Sequence, residues 1–356
     1  MNRLLKRLTG LLCALTISLT LCAASADDYS GLSPVRTYNG NEYRARPASD
    51  LTTILLIGYD HYSSGVQEEL HGYSSGGQAD FLLIVVLDHE NQQIRRLQLN
   101  RDTMTGVRIT DANGRKYDPM ILQLCLAHAY GDTREENNAN TIWSVERLMG
   151  IGDPYDGAQI DWYMAMDMSG IEVLNDCLGG VTVTVPVDMT AFDPEMTEGA
   201  VLRLTGKQAY YFCRYRYDVG DQTNASRMER HEIYMEAAGN LLKEKVKAKK
   251  SFAEQLLDDM GVIYERFVPE DDPLSHLSSY VSTAVGDANG KYLMTNTTKG
   301  RIVKDLYKAI DYELLPLETL SGTHSLGSNG FVRYDLDEDA ALKWTLSVFY
   351  DSLAGD

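Results

Sequence analysis

From residue 51 onward the chain alternates short, unbroken apolar runs with segments whose apolar residues recur every three to four positions. Thr52–Tyr59 (TTILLIGY) and Phe81–Leu87 (FLLIVVL) are continuous runs rich in Ile, Leu and Val, the pattern of strands buried on both faces. Gln93–Leu99 alternates around Ile94, Leu97 and Leu99, which predicts a third strand leading straight into Asn100-Arg101-Asp102-Thr103. Helices are predicted over 119–130, with Pro119 near the start, and over 141–149, closed by Gly150. Both carry apolar residues on more than one face, so each is either a core helix covered on two sides or the wall of a lipid-lined cavity. Trp162–Met166 predicts a strand, Ser169–Leu178 a helix ended by Gly179-Gly180, and Val181–Val187 (VTVTVPV) a β-branched strand with Pro186 near its end. Thr205-Gly-Lys-Gln208 is a capping box opening a helix to about Cys213; Ser226 and Glu229 form another, opening a helix to about Lys247. Further helices are expected from Ser251, over 273–285 and over 298–310, with strands at Glu313–Leu320 and Phe331–Tyr334 and a last helix capped by Asp337. Such alternation, with no repeat or composition break, predicts one α/β domain over 51–353, a sheet layered between helices.

The ends change that picture. Arg3, Lys6 and Arg7 precede an uncharged apolar run from Leu8 to about Ala24, which reads as an export segment. Ala24-Ser25-Ala26 suits a signal peptidase, while a run of about 17 residues is at the short end for a membrane span. The protein is therefore expected either anchored at the extracellular face of the cell membrane by residues 1–26, or secreted after cleavage at Ala26. Residues 27–50, polar with scattered Gly and Pro, read as a linker or early arm, and the Ser- and Gly-rich stretch 61–79 as a long, functional or mobile loop.

The formal charge is −18, and beyond residue 26 the chain carries 30 basic against 51 acidic side chains. So acidic a body repels nucleic acid and anionic lipid over most of its surface, and any anion must be drawn by a local patch. Cys125, Cys177 and Cys213 lie far apart in apolar surroundings with no metal or redox spacing, which reads as buried thiols, with one disulfide left open.

A local patch of that kind exists. Arg214, Arg216, Arg227 and Arg230 fall within seventeen residues. The Ser226 capping box would place Arg227 at the first helical position and Arg230 one turn along. A helix N-terminus offers free N–H groups and guanidinium forks match phosphate oxygens, so the stretch reads as a phosphate or pyrophosphate site; the alternative is a solvated, salt-bridged helix start.

Four segments in order then coincide with one family pattern: L-L-I-G-Y-D-H-Y with Asp60, Q-A-D-F-L-L-I-V with Asp80, N-R-D-T-M with Arg101 and Asp102, and D-C-L-G-G-V-T-V-T-V followed by L-T-G-K-Q-A-Y-Y-F-C-R-Y-R and an R-x-x-R helix start. Together they resemble the LytR-CpsA-Psr family of exported bacterial cell-envelope proteins, from about Leu51 to the last helix. The resemblance implies a layered α/β/α domain with a central mixed sheet and a long hydrophobic pocket. It also implies a phosphotransferase that moves a glycopolymer, such as teichoic acid or capsule, from a polyprenyl-pyrophosphate carrier to peptidoglycan with Mg2+ or another divalent metal. Carried over by motif, Arg101, Arg214, Arg216, Arg227 and Arg230 hold the pyrophosphate, Asp60 and Asp80 approach the metal, and Asp221 is an acid/base or orienting residue. Phosphoryl transfer asks mainly for charge neutralisation and positioning, which guanidinium groups and a carboxylate-held cation supply.

The chain also departs from the family. Tyr62 stands where many members have arginine, Gln78-Ala79 where many have Arg-Ser, and His231 where a glutamine often follows the R-x-x-R pair. His231 is read as a satisfied structural histidine. The same anion cluster would equally serve a polyprenyl-pyrophosphate hydrolase, or a protein that binds polyprenyl-phosphate or glycopolymer without turnover. No zinc spacing, calcium loop or G-x-S-x-G elbow is present.

Overall fold

The two most apolar runs become the centre of a six-stranded sheet, because only a central strand can bury side chains on both faces. The computed structural model describes residues 35–60, 77–260, 283–287 and 304–353, apart from residues 112, 132, 153, 154, 156, 157, 257, 258, 306, 328 and 329. In chain order, a hairpin β1 (Val35–Tyr38) and β2 (Asn41–Ala45) precedes β3 (Leu51–Tyr59), β4 (Ala79–Asp88) and β5 (Gln93–Gln98). A two-stranded ribbon β6 (Met104–Thr110) and β7 (Lys116–Gln123) leads through a 3-10 turn, Leu124–His128, to α1 (Arg134–Met149). Then come β8 (Trp162–Asp167), α2 (Gly170–Leu178), β9 (Thr182–Thr184), β10 (Val201–Arg203), α3 (Gly206–Arg214) and α4 (Asn224–Ala248). The remainder is β11 (Thr283–Asp287), β12 (Glu313–Thr319), β13 (Gly322–Leu326), β14 (Val332–Leu336), α5 (Glu338–Phe349) and β15 (Tyr350–Ser352).

The main sheet runs β11-β8-β3-β4-β5-β12 and is mixed: β3 with β8 and β5 with β12 are parallel, the other pairs antiparallel. Alternation along β3 and β4 sends Leu55, Ile57, Leu82 and Ile84 into one core, which α1 closes with Ile142, Val145 and Met149 and α5 with Trp344 and Phe349. A second core holds Leu178 of α2, Phe212 of α3, Tyr234 and Ala238 of α4, and Val183 of β9, with Phe81 and Met166 of the sheet packed against it. The expected layered α/β/α arrangement around a central mixed sheet is what the chain adopts.

Several local expectations are corrected. Residues 119–130 are not a helix: Pro119 lies on the two-stranded ribbon, where its missing N–H is tolerated, and Met120 and Ile121 are 53% and 66% exposed. From that segment Leu124 joins the core with Ile142, Val145 and Met149 of α1. Helix α1 starts at Arg134 because Thr133 caps it, seven residues earlier than the apolar pattern suggests. Helix α4 is opened by Thr223, whose side chain accepts from Ser226 N, and not by the Ser226–Glu229 box. Residues 283–287, the end of an expected helix, form the edge strand β11; 261–282 and 288–303 lie outside the described residues. The segment read as a linker contains the hairpin β1–β2, whose second strand pairs with β15, so the last helix gives way to a strand at Tyr350. Residues 1–26, read as an export segment, Tyr62 and most of the 61–79 loop lie outside the described residues, among which no helix is long and apolar enough to cross a membrane. Cys125, Cys177 and Cys213 are all free thiols.

Where β3 meets β4 the ladder is irregular. Gly58 pairs with Phe81 but Tyr59 pairs with Ala79, so β4 carries one extra residue, Asp80, in a bulge. The bulge brings β4 close to Gly58, where a Cβ would lie 2.8 Å from Met168 Sδ and 3.0 Å from Phe81 Cβ. Gly58→Val is expected to lower stability by about 1–3 kcal/mol through overpacking, read as a lower urea midpoint; an unchanged midpoint would mean that the two strands part without cost.

Candidate functional site

Antiparallel pairing puts the C-terminal ends of β3 and β5 and the N-terminal end of β4 on one edge of the sheet. Asp60 follows β3 directly and donates its backbone N–H to Gln78 O at 2.9 Å. The bulge turns Asp80 toward the same edge, and Arg101 follows β5 in a turn held from several sides. In that turn Asn100 Oδ1 accepts Asp102 N at 3.0 Å, Asn100 O accepts the Thr103 hydroxyl at 2.7 Å, and Arg101 O accepts Cys125 N at 2.9 Å. Asp102 serves this turn: it accepts from Gln123 Nε2 at 3.0 Å and its carbonyl accepts Tyr334 N at 2.9 Å.

Three arginines converge on the two buried carboxylates. Asp80 Oδ1 accepts from Arg101, and its Oδ2 lies 3.2 Å from Arg227 Nη1 and 3.7 Å from Arg214 Nη1. Arg214 Nη2 reaches on to Asp60 Oδ2 at 2.5 Å, so this one guanidinium bridges both carboxylates. The side chains of Asp80 and Arg227 are each only 2% exposed, whereas that of Arg214 is 30% exposed and faces the open side. Burial raises the Asp60 carboxyl above the ordinary carboxylate value despite the nearby charges of Arg214, Arg227 and Arg101. Burial, and then the charges of Arg101, Arg214 and Arg216, press Arg227 below the ordinary guanidinium value. Arg101 Nε and Arg227 Nε are buried donors with no hydrogen-bond acceptor among the described residues. Arg101 Nε does lie 3.5 Å from Asp102 Oδ1, so a third carboxylate balances the three arginines, and what the cluster offers an incoming anion is its unfilled guanidinium donors.

Not every arginine belongs to it. Because α4 starts at Asn224, Arg230 lies a turn deeper in the helix than the sequence suggests. Its guanidinium donates to Phe212 O at 2.9 Å, to Tyr215 O, and to the carbonyl and hydroxyl oxygens of Ser226 at 3.2 and 3.1 Å. Those partners include the last carbonyls of α3, so Arg230 closes that helix's C-terminus. Arg216 is half-buried and donates to the Tyr217 hydroxyl at 2.7 Å, reaching the cluster only through its field on Arg227. Asp221 is exposed and accepts from Thr223 N at 3.0 Å and Thr223 Oγ1 at 2.8 Å, an Asx turn just before the α4 cap. Those hydrogen bonds, from Thr223 N and then its hydroxyl, hold its carboxyl below the usual range.

Other participants are given no role by the sequence pattern. Gln78, at a position where arginine is common in the family pattern, accepts from Arg101 Nη2 through its Oε1, giving the cluster an acceptor in place of another cation. Cys125 Sγ is 3.0 Å from the same Nη2. Asn224 Oδ1 accepts from Arg227 Nη2 at 2.8 Å, and Asn224 Nδ2 donates to Asn100 Oδ1 at 3.0 Å. His128 bonds Gly77 O through Nδ1 at 2.9 Å and stacks on Tyr59 at 4.4 Å, fixing the approach to Asp80. The spacing Asn224-x-x-Arg227 was the one available signal, since residues three apart share a helix face.

His231 is the structural histidine expected. Nε2 donates to Cys213 O at 2.8 Å and Nδ1 accepts from Gln98 at 3.3 Å, leaving a neutral ring. Burial, and then the charge of Arg227, bring its pKa down to about 3. The unfolded ring titrates near ~6.5, so the unfolded chain takes the proton first. Its contribution is complete above that value and is lost as pH falls toward 3. Between pH 7 and 5 the protein is expected to lose roughly 2 kcal/mol from this residue. His231→Gln should lose less over the same interval, measured as urea midpoints; equal losses would refute the assignment.

Comparisons with known proteins bear on the chain as a whole. A model described as the LytR_cpsA_psr family matches residues 20–304. Biofilm regulatory protein A of Streptococcus mutans is 26% identical over 200 residues, 53% of this chain and 44% of that protein. A polyisoprenyl-teichoic acid–peptidoglycan teichoic acid transferase, TagU, of Halalkalibacterium halodurans is 28% identical over 169 residues, 48% of this chain and 46% of that one. The alignments span under half the length of these curated relatives. The crystal structure of B. subtilis TagV superposes with a TM-score of 0.53 at 18% identity, over 85% of this chain and 96% of that one, a likeness of fold.

Proposed function

The chain belongs to the LytR-CpsA-Psr family, and from that premise we propose that it is an exported cell-envelope phosphotransferase moving a glycopolymer from a polyprenyl-pyrophosphate carrier to a peptidoglycan acceptor. The relatives named as teichoic acid transferases support glycopolymer transfer at the level of the family. The observation that carries the reading in this chain is the convergence of Arg101, Arg214 and Arg227 on Asp60 and Asp80 at one edge of the sheet. A pyrophosphate arriving there meets guanidinium forks already aimed by carboxylates, so little reorganisation remains when charge develops on the leaving group. Arg214, half-open to solvent and bridging both carboxylates, is the group best placed to follow that charge. Arg101 and Arg227 hold the phosphates from below, and Asn224 fixes the plane of Arg227.

A divalent cation such as Mg2+ fits this donor set in part. Hard cations take one or two carboxylates and complete their shell with water and phosphate oxygens. Asp60 Oδ1 accepts no hydrogen bond among the described residues and suits such a ligand, while both Asp80 oxygens are engaged by arginines. Asp60 would therefore hold the ion and Asp80 would join only by exchange with Arg101; bound there, the ion would add charge neutralisation at the pyrophosphate. No group of three or more metal-binding side chains occurs among the described residues. An apolar carrier also needs a long hydrophobic slot. The aromatic group of Phe192, Tyr210, Tyr211 and Tyr215, which adjoins Arg214 in the chain and has Phe192 and Tyr215 tilted at 4.4 Å between ring centroids, offers an apolar surface at which one would begin.

The test is an assay of the full chain with a synthetic polyprenyl-pyrophosphate glycan, peptidoglycan fragments and Mg2+. Transfer of glycan to the fragments is expected. Release of glycan phosphate to water alone would favour a hydrolase, and neither product would sink the enzymatic reading.

A further inference from the structure

Beside the arginine cluster, on the opposite side of Asn224, lies a cleft of about 310 Å3 between α4, the end of β5 and the β13–β14 hairpin. Its chemistry is the reverse of its neighbour's. Glu229 and Glu232, one turn apart on α4, line it and make no ion pair or hydrogen bond among the described residues, while Leu336 and Tyr334 form an apolar floor. His324 packs on Tyr334 with ring centroids 4.7 Å apart, giving a flat aromatic edge. An anion placed here would meet two free carboxylates in place of guanidinium groups, so the pyrophosphate is sorted away from the cleft and a neutral ligand rich in hydroxyl groups is favoured. Flat aromatic faces for ring C–H groups and carboxylates as hydroxyl acceptors are the groups that hold a neutral sugar.

The cleft is also wired to the cluster. Asn100 Nδ2 donates to His324 Nε2 at 3.3 Å and Asn100 Oδ1 accepts from Asn224 Nδ2 at 3.0 Å. Asn224 Oδ1 in turn accepts from Arg227, which binds Asp80 at 3.2 Å. Each amide in this chain has its orientation set by the next, so the aromatic edge of the cleft and the phosphate-holding guanidinium are fixed relative to one another. From the volume, the charge reversal and this continuity we infer that the cleft is the acceptor subsite. It takes a neutral stretch of glycan and presents its hydroxyl to the phosphate held by the arginines. The inference rests on the transferase reading for its word acceptor, and on the cleft alone for glycan binding.

The two parts separate experimentally. The first measurement is calorimetric titration of the full chain with the neutral β-1,4-linked tetrasaccharide of N-acetylglucosamine. Binding is expected in the wild type, undisturbed by saturating inorganic pyrophosphate, and at least tenfold weaker in the surface variant Glu229→Ala with Glu232→Ala and in the cleft-filling Leu336→Trp. No binding at millimolar tetrasaccharide, or equal binding by all three proteins, overturns the inference. The second measurement is transfer kinetics: the variants should raise the acceptor KM about tenfold and leave the donor KM unchanged. A rise confined to the donor KM would assign the cleft to the donor's sugars and overturn the acceptor subsite. Unchanged kinetics would do the same while leaving the transferase intact. Tetrasaccharide binding lost in the variants, with no transfer by the wild type, would support the glycan site and count only against the transferase.

Discussion

Asp80→Ala is expected to destabilise the fold by about 3–5 kcal/mol, the range for removing one partner of a buried ion pair. The carboxylate is almost wholly buried and is the common counter-charge of Arg101, Arg214 and Arg227. Without it, Arg227 keeps its bond to Asn224 but faces two like charges in a dry site. Urea unfolding checks the magnitude, and a loss below about 1 kcal/mol would mean that the cluster is solvated in practice. A second signature is specific to this geometry: inorganic pyrophosphate should restore more stability to the variant than it adds to the wild type, because it supplies the missing negative charge. Equal stabilisation of both proteins would argue that phosphates bind elsewhere.

Arg214→Ala should behave in the opposite way, sparing the fold and removing the chemistry. The side chain is partly open, and Asp80 keeps Arg101 and Arg227 when it is removed, so the fold loses less than it does with Asp80. Transfer is nevertheless expected to fall by roughly 10^3-fold, the scale for an arginine or oxyanion donor that follows charge in the transition state. Arg214→Lys should recover only a small part, since a point charge cannot bridge two carboxylates as a planar fork does. Near-normal transfer by both Arg214→Ala and Arg101→Ala, at unchanged far-ultraviolet circular dichroism, would remove the cluster from the mechanism.

Much of the sheet could be read directly from residues, because β3 and β4 are buried on both faces and therefore written in Ile, Leu and Val. The ribbon β6–β7 could not: its exposed Met120 and Ile121 break the rule that apolar residues mark the interior, and Pro119 imitates a helix start. The capping box at Thr205 was legible and real, while the one at Ser226 lost to Thr223, three residues earlier; both offer a hydroxyl acceptor, and only the tertiary position of the preceding turn decides between them. Arg227 and Arg230, alike on paper, part company through what each meets, one facing the carboxylates and the other closing α3. Among the motif residues, Asp60, Asp80, Arg101, Arg214 and Arg227 do meet at one sheet edge. Gln78 showed in the sequence only as a departure from the family pattern and Asn224 only as a spacing of three from Arg227; neither tells that Gln78 meets Arg101 or that Asn224 is also held by Asn100.

The bulge at Asp80 bears on how such a chain could change over time. Removing this single codon, rather than replacing it, would leave Ala79 and Phe81 opposite Tyr59 and Gly58 in an uninterrupted ladder. The deletion would repair the sheet's regularity while taking away the counter-charge that gathers its arginines. A lineage that no longer needed the reaction has a one-residue route to a more regular sheet with no site, and a lineage that keeps it must hold an imperfection in place.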